Sequence, residues 1–428
     1  MREEMQDMTK VLLVGVNTGK EQDFEHSMEE LKSLAEAANK QVTGIIIQNM
    51  ATVNQALYIG TGKVEEVREY AAQCEAEEVV FDNSLSPSQV RNLGRELALP
   101  VLDRTNLILD IFAIRARTKE AKLQVETAKL QYILPRLVGM RENLSRQGGT
   151  GGSMSNKGAG ETKLELDRRK IERRISELKK ELEAVSRNRE TMRKKRIQSG
   201  TPKVALVGYT NAGKSTILNR MVELCGENTD KTVLEQDMLF ATLETSVRYI
   251  HSDNREASPF FLVDTVGFID KLPHGLVKAF RATLEEVKYA DLLVQVVDFS
   301  DPHYRQHMDV TAETLNELGA GNIPQVIVYN KSDLCNVENL PKKRDRQIYM
   351  AAASGTGMKE LRALIEECVY GDCVEKEMMF PYDKGNVVSY FMENATVMEQ
   401  EYREDGIRIK VNCHKRDAEK YSQYAVSV

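Results

Sequence analysis

Short apolar runs separated by longer amphipathic stretches recur in two blocks along the chain. In the first, Val11–Val16, Val42–Ile47, Glu78–Asp82 and Leu99–Asp103 alternate with helical patterns, which predicts a small α/β domain with a mainly parallel sheet. In the second, Val204–Gly208, Phe260–Gly267, Asp291–Asp298 and Pro324–Asn330 are almost continuously apolar. Strands of that kind are buried on both faces, so the block reads as a doubly wound, mainly parallel sheet. The tail holds the runs Glu375–Pro381 and Gly406–Cys413 around a helical pattern from Asn386 to Tyr402, which predicts a small α+β appendage.

Between the blocks the period changes to that of long helices. Leu123, Leu130, Leu134 and Leu137 form one apolar row, and Ala121, Val125, Ala128 and Tyr132 form a second. After a break, Leu164, Ile171, Ile175, Leu178, Leu182, Val185 and Met192 follow one heptad seam, with Arg168 and Arg189 at the vacant seam positions. The pair predicts an antiparallel helical hairpin with coiled-coil packing. Its connection, the Gly-rich stretch 148–160, is longer than a plain helix–helix linker, which suggests a working loop ordered by a partner. The expected domains are therefore 1–110, 111–200, 201–370 and 371–428.

Charge sharpens this picture. The 428 residues carry a formal net charge of −6, which taken whole argues against a nucleic-acid partner. Yet Arg115–Ile197 holds 23 basic and 11 acidic residues, a net of +12, and the remainder carries −18. A basic hairpin in an acidic chain points to a polyanion. No run approaches the roughly 20 apolar residues of a membrane span, and the first residues lack the apolar core of an export signal. A cytoplasmic monomer is expected, with peripheral membrane association left open. Six cysteines without a CxxC pair fit reduced thiols, and His303 and His307, one helical turn apart, read as a surface or core pair.

Three motifs carry chemistry. Gly208-Tyr209-Thr210-Asn211-Ala212-Gly213-Lys214-Ser215, followed by Thr216, fits the phosphate-loop pattern between a strand and a helix. Its amides and the helix N-terminus face the phosphates, Lys214 reaches the terminal ones, and the Ser215 hydroxyl ligates Mg2+. Asp264-Thr265-Val266-Gly267 ends the next apolar strand, placing a carboxylate near the metal's water shell and the Gly267 amide at the γ-phosphate. Asn330-Lys331-Ser332-Asp333 selects the base, because a buried carboxylate at Asp333 accepts both hydrogens that guanine offers and adenine lacks. Between the first two lies Phe240-Ala241-Thr242-Leu243-Glu244. Thr242 is the candidate hydroxyl that closes over metal and γ-phosphate, with Thr245 as its rival. By contrast, Gly60-Thr61-Gly62-Lys63 has the wrong spacing and reads as a turn and helix start.

These residues resemble the HflX GTPases. Tyr58–Val67, Leu144–Gly149, Lys157–Arg169, Val204–Thr216, Phe240–Glu244 and Val263–Ile269 look like that family's blocks. The resemblance implies a GTP hydrolase that binds the large ribosomal subunit and ribosomal RNA and splits stalled or idle ribosomes under stress, and it supports Thr242 over Thr245. It also implies that Ala351-Ala352-Ala353 stand where the family's base loop usually reads Ser-Ala-Lys, and that Phe268 replaces the water-orienting Gln of other GTPases. Hydrolysis is then slow until a partner completes the site. Asn211 matches the loop asparagine of potassium-using GTPases, making K+ a candidate second cation. The alternative reading is a GTP-regulated RNA-binding module in ribosome assembly that splits nothing; a weaker third is a protein regulator using the coiled coil as its partner surface.

Overall fold

The computed structural model describes residues 8–19, 23–137, 165–185, 201–225, 240, 246–251, 259–271, 286–335, 337–371 and 373–426. The chain forms two compact units, one of Met1–Glu183 with Met238–Leu243 and Leu272–Phe280, the other of Ala184–Asp237, Glu244–Lys271 and Arg281–Val428.

In the first unit β1 (Thr9–Asn17), α1 (Phe24–Ala37), β2 (Lys40–Asn49), α2 (Thr61–Gln73), β3 (Glu78–Phe81), α3 (Pro87–Leu97) and β4 (Val101–Asp103) alternate as the apolar runs predict. The sheet is parallel in the order β2-β1-β3-β4. Gly60 is the N-cap of α2 and Lys63 pairs with Glu66 at 2.7 Å, so this glycine cluster serves as a turn and helix start. Ser86 and Gln89 close a capping box ahead of Pro87, which fixes where α3 begins. Two further helices, α4 (Arg104–Arg115) and α5 (Lys119–Ile133), are capped by the Asp103 and Thr118 side chains.

A helix over 165–185, α6, buries Ile175 and Leu178 of the seam. Arg174 forks onto Glu126 of α5, with Nε 2.8 Å and one terminal nitrogen 3.2 Å from the two carboxylate oxygens. That bidentate fork ties α6 to α5. Residues 165–185 hold seven basic and six acidic side chains, so the positive surplus is concentrated elsewhere in the basic block. The Gly-rich loop and Arg193–Arg196 lie outside the described residues.

The second unit contains β5 (Lys203–Val207), α7 (Lys214–Leu224), β6 (Ser246–Ile250), β7 (Phe260–Asp264), β8 (Leu292–Asp298), α8 (Tyr304–Glu317), β9 (Gln325–Asn330), β10 (Lys342–Arg344), β11 (Gln347–Tyr349) and α9 (Met358–Tyr370). Its sheet runs β10-β11-β9-β8-β5-β7-β6. The five inner strands are parallel, and β6 and β10 are antiparallel edges. These two edges escape the sequence reading because they are short and mostly half-buried or exposed, without an apolar run.

The tail folds as β12 (Cys373–Phe380), α10 (Gly385–Asn394), β13 (Thr396–Arg403), β14 (Gly406–His414) and α11 (Lys415–Lys420), with an antiparallel sheet in the order β12-β14-β13. The helix expected to reach Tyr402 thus stops at Asn394, and its second half is strand. The two-residue turn Glu404-Asp405, with Arg403 paired to Gly406, closes a hairpin that recruits Thr396–Arg403 into the ladder.

Candidate functional site

The strand order reverses at β5, which pairs with β8 on one side and β7 on the other, the point of a doubly wound sheet beyond whose carboxyl ends ligands bind. The loop Gly208–Gly213 crosses that point into α7. At Gly208 φ is +143°, and a Cβ would stand 2.2 Å from the Val296 carbonyl oxygen, so only glycine lets the loop pass. Lys214 opens α7 and is buried, its ammonium donating to the Gly208 and Tyr209 carbonyls at 3.1 and 2.6 Å. Burial pushes its pKa down to about 8, partly opposed by the Asp264 carboxylate.

Asp264 ends β7 fully buried and accepts a 2.8 Å bond from the Ser215 hydroxyl. Thr265 is anchored to the Leu206 carbonyl at 2.6 Å, and Val266 is buried. Gly267 lies directly against the phosphate loop: a Cβ there would meet the Thr210 Cα at 2.7 Å and the Lys214 Nζ at 3.0 Å. The next residues are laced to the same loop. The Phe268 N–H donates to the Gly208 carbonyl at 3.1 Å, the Thr210 N–H to the Phe268 carbonyl at 2.8 Å, and the Asp270 N–H to the Tyr209 hydroxyl at 2.8 Å. The Phe268 ring is buried with Ala205, Val207 and Leu293.

On the base side Asn330 ties two loops together. Its Nδ2 donates to the Ala212 carbonyl at 2.9 Å, and its Oδ1 accepts from the Ala352 N–H at 2.9 Å. Lys331 has φ of +58° and pairs with Asp298 at 2.7 Å, while the Ser332 hydroxyl donates to the Tyr329 carbonyl at 2.8 Å. Ala351 and Ala352 are buried and Ala353 is exposed, its carbonyl accepting from Arg220 at 2.7 Å. Asp333, expected to be buried, is exposed.

The structure thus brings the phosphate loop, Asp264–Gly267, Asn330 and Ala352 into one hydrogen-bonded assembly. Asn211 is exposed with φ of +60°, and Thr216 is half-buried. Phe240 is buried, its ring 4.8 Å from Phe112 and edge-on to it, both in the first unit. Ala241, Thr242, Leu243, Glu244 and the rival Thr245 lie outside the described residues. The Ser215 hydroxyl and the Asp264 carboxylate are hard oxygen donors 2.8 Å apart at the loop's end, a donor set suited to Mg2+.

Two contributors were not read from sequence. The His307 ring stacks on Tyr209 at 3.8 Å and 10°, supporting the loop from α8, and Asp298 holds Lys331. The one-turn spacing of His303 and His307 marked the helix face, but no local pattern places a ring from α8 on the phosphate loop.

The Lys214 pKa predicts a pH effect. Above pH 8 the free site holds a neutral amine, while bound phosphates favour the ammonium and raise its pKa. Nucleotide binding therefore takes up a proton above pH 8, and affinity declines as pH rises through that value. Titration calorimetry in two buffers of different ionisation enthalpy measures this uptake; none above pH 8 would overturn the assignment.

Four family models match in sequence: a GTP-binding GTPase N-terminal region over residues 25–113, a GTP-binding GTPase middle region over 115–196, a 50S ribosome-binding GTPase over 203–331 and an HflX C-terminal domain over 337–424. A protein of Caldanaerobacter subterraneus subsp. tengcongensis described as GTPase HflX is 41% identical over 100% of this chain and 96% of its own. An Escherichia coli protein of the same description is 37% identical over 93% of this chain and 91% of its own. A GTP-binding protein from the archaeon Sulfolobus solfataricus, solved with GDP, is 28% identical over 84% of this chain and 99% of its own, with a TM-score of 0.44.

Proposed function

Because the chain belongs to the HflX family of GTPases and is therefore a GTP hydrolase, we propose that its GTP cycle governs binding to the large ribosomal subunit and the splitting or rescue of stalled or idle ribosomes. The observation that carries the reading is the joined phosphate and base assembly in a chain that also contains a basic hairpin. A ribosome-binding GTPase model covering residues 203–331 supports the same partner. In the alternative, the chain binds ribosomal RNA during assembly and splits nothing.

In this reading the amides of Asn211–Ser215 hold the phosphates, Lys214 balances their charge, and Asp333 reads guanine. Ser215 and Thr242 would hold Mg2+, with the Asp264 carboxylate beside Ser215, and the ion when bound would neutralise charge on the phosphates. Gly267 senses the γ-phosphate through its amide, and Thr242 closes only on the triphosphate. Phe268 offers no hydrogen bond to water, so turnover alone is slow and the ribosome completes the site. Potassium beside Asn211 is an optional second cation, and equal turnover in sodium and potassium buffers would remove it.

Sedimentation of intact ribosomes with the protein and a nonhydrolysable GTP analogue tests the proposal. Free subunits accumulate if it splits ribosomes, whereas co-sedimentation with intact ribosomes supports the alternative. If the hairpin contacts six phosphates, large-subunit affinity falls roughly 10³-fold between about 50 and 200 mM salt. A flat salt dependence in a binding titration would count against the RNA contact.

A further inference from the structure

A doubly wound sheet ordinarily covers each parallel crossover with a helix. The crossover from β9 to β11 departs from this: its described residues form a 3-10 turn, Ser332–Leu334, and the edge strand β10, with no α-helix. One face of β9 and β11 consequently keeps half-buried side chains, Ile327, Tyr329, Gln347 and Tyr349, where inner strands carry fully buried ones.

What occupies that face is aromatic. Tyr329 and Tyr349 are directly opposed in the parallel ladder, with rings stacked at 4.5 Å and 17°. Phe299 stands edge-on to both at 5.4 and 5.3 Å, and Tyr304 lies 5.2 Å from Phe299. The surround is cationic. Lys342 pairs with Tyr349 and Arg344 with Gln347 across β10, so both share the tyrosine face; both are exposed, and neither joins an ion pair among the described residues. The exposed guanidinium of Arg305 lies 5.7 Å from the Tyr304 ring centre, over its face. Lys343 belongs to the opposite face, where it pairs with Glu367 at 2.6 Å. The acids flanking Phe299 in sequence are engaged elsewhere, Asp298 by Lys331 at 2.7 Å and Asp301 by the His303 N–H at 2.7 Å; Asp345 follows Arg344 in the β10–β11 turn.

We propose that this face binds single-stranded RNA, with bases stacking on the Tyr329–Tyr349 pair and phosphates on Lys342, Arg344 and Arg305. Flat rings accept any base by stacking, and flanking cations track a backbone, which together favour a single strand over a duplex. A protein partner would have to bring acids to Lys342, Arg344 and Arg305 as well as cover the stacked rings, whereas one RNA strand offers phosphates and flat bases together. The choice of RNA over DNA rests on the ribosomal reading above; the surface itself is independent of the hairpin.

The chain contains no tryptophan, so Tyr349→Trp places a single indole on the platform. Full-length Y349W is titrated with a dye-labelled oligouridine while indole emission and RNA anisotropy are followed together. Stacking quenches the indole at least about twofold with the same midpoint as a component of the anisotropy change, and Lys342→Gln with Arg344→Gln in that background lowers the salt slope of the quench by about 1.4. Rising anisotropy with unchanged indole emission places the RNA elsewhere and overturns the proposal, as does quenching by an acidic peptide and not by RNA. Y349W that binds no GDP is not folded; Tyr349→Leu in a GDP-binding chain then decides, since unchanged oligouridine affinity overturns the proposal and a loss of about tenfold upholds it. Ribosome sedimentation reads the functional proposal separately.

Discussion

An Asp333→Asn variant is expected to bind GTP roughly 10²- to 10⁴-fold more weakly than the parent chain and to prefer xanthosine triphosphate. In the proposed site the Asp333 carboxylate would accept two charge-assisted hydrogen bonds from guanine, each worth about 1.5–3 kcal/mol. Asparagine replaces one acceptor with a donor, which meets an amino group on guanine but a carbonyl on xanthine. The fold should not notice: Asp333 is exposed, and its turn is held by the Ser332 hydroxyl on the Tyr329 carbonyl and the Ser332 N–H on the Met350 carbonyl at 3.1 Å. Competition between labelled guanosine and xanthosine nucleotides measures the switch. Unchanged preference for guanine would remove Asp333 from base reading.

Lys214→Met has the second large effect, on the site and not on the fold. Nucleotide affinity and turnover fall by roughly 10²–10³, the loss typical of removing one charge-stabilising donor. The nucleotide-free chain should nonetheless keep its Tm. Its ammonium is buried, and burial has already pushed its pKa down to about 8, so the folded chain pays to hold the charge; methionine fills similar volume without it. The two carbonyls released, of Gly208 and Tyr209, offset part of that gain, and the Gly208 carbonyl retains the Phe268 N–H. Calorimetric melting without nucleotide, beside a GDP titration, separates the two. A fall in Tm of many degrees would make Lys214 a structural residue first.

Both experiments leave a stable chain with an impaired site because the assembly is held from behind by other groups. Asn330 bridges the Ala212 carbonyl to the Ala352 N–H, and the Thr210–Phe268 and Tyr209–Asp270 bonds fasten the segment after Gly267 to the phosphate loop. These bonds join protein groups to protein groups, so the assembly does not depend on either substituted side chain.

The sequence by itself determined the alternation of strands and helices in both α/β blocks, the phosphate-loop, DTVG and NKSD motifs, and the segregation of charge into the hairpin. Each of these is local: an apolar run reports burial on both faces, and a glycine-and-lysine spacing reports a turn that wraps phosphate. Tertiary structure alone decided that Thr396–Arg403 is strand, because a ladder with β14 outweighs its helical period. It also decided that β6 and β10 are strands, that His307 supports Tyr209, and that Tyr329 and Tyr349 form a stacked, half-open pair. Those outcomes depend on partners distant in sequence, whose pairing energy exceeds any local preference and leaves no periodic trace in the residues that receive it.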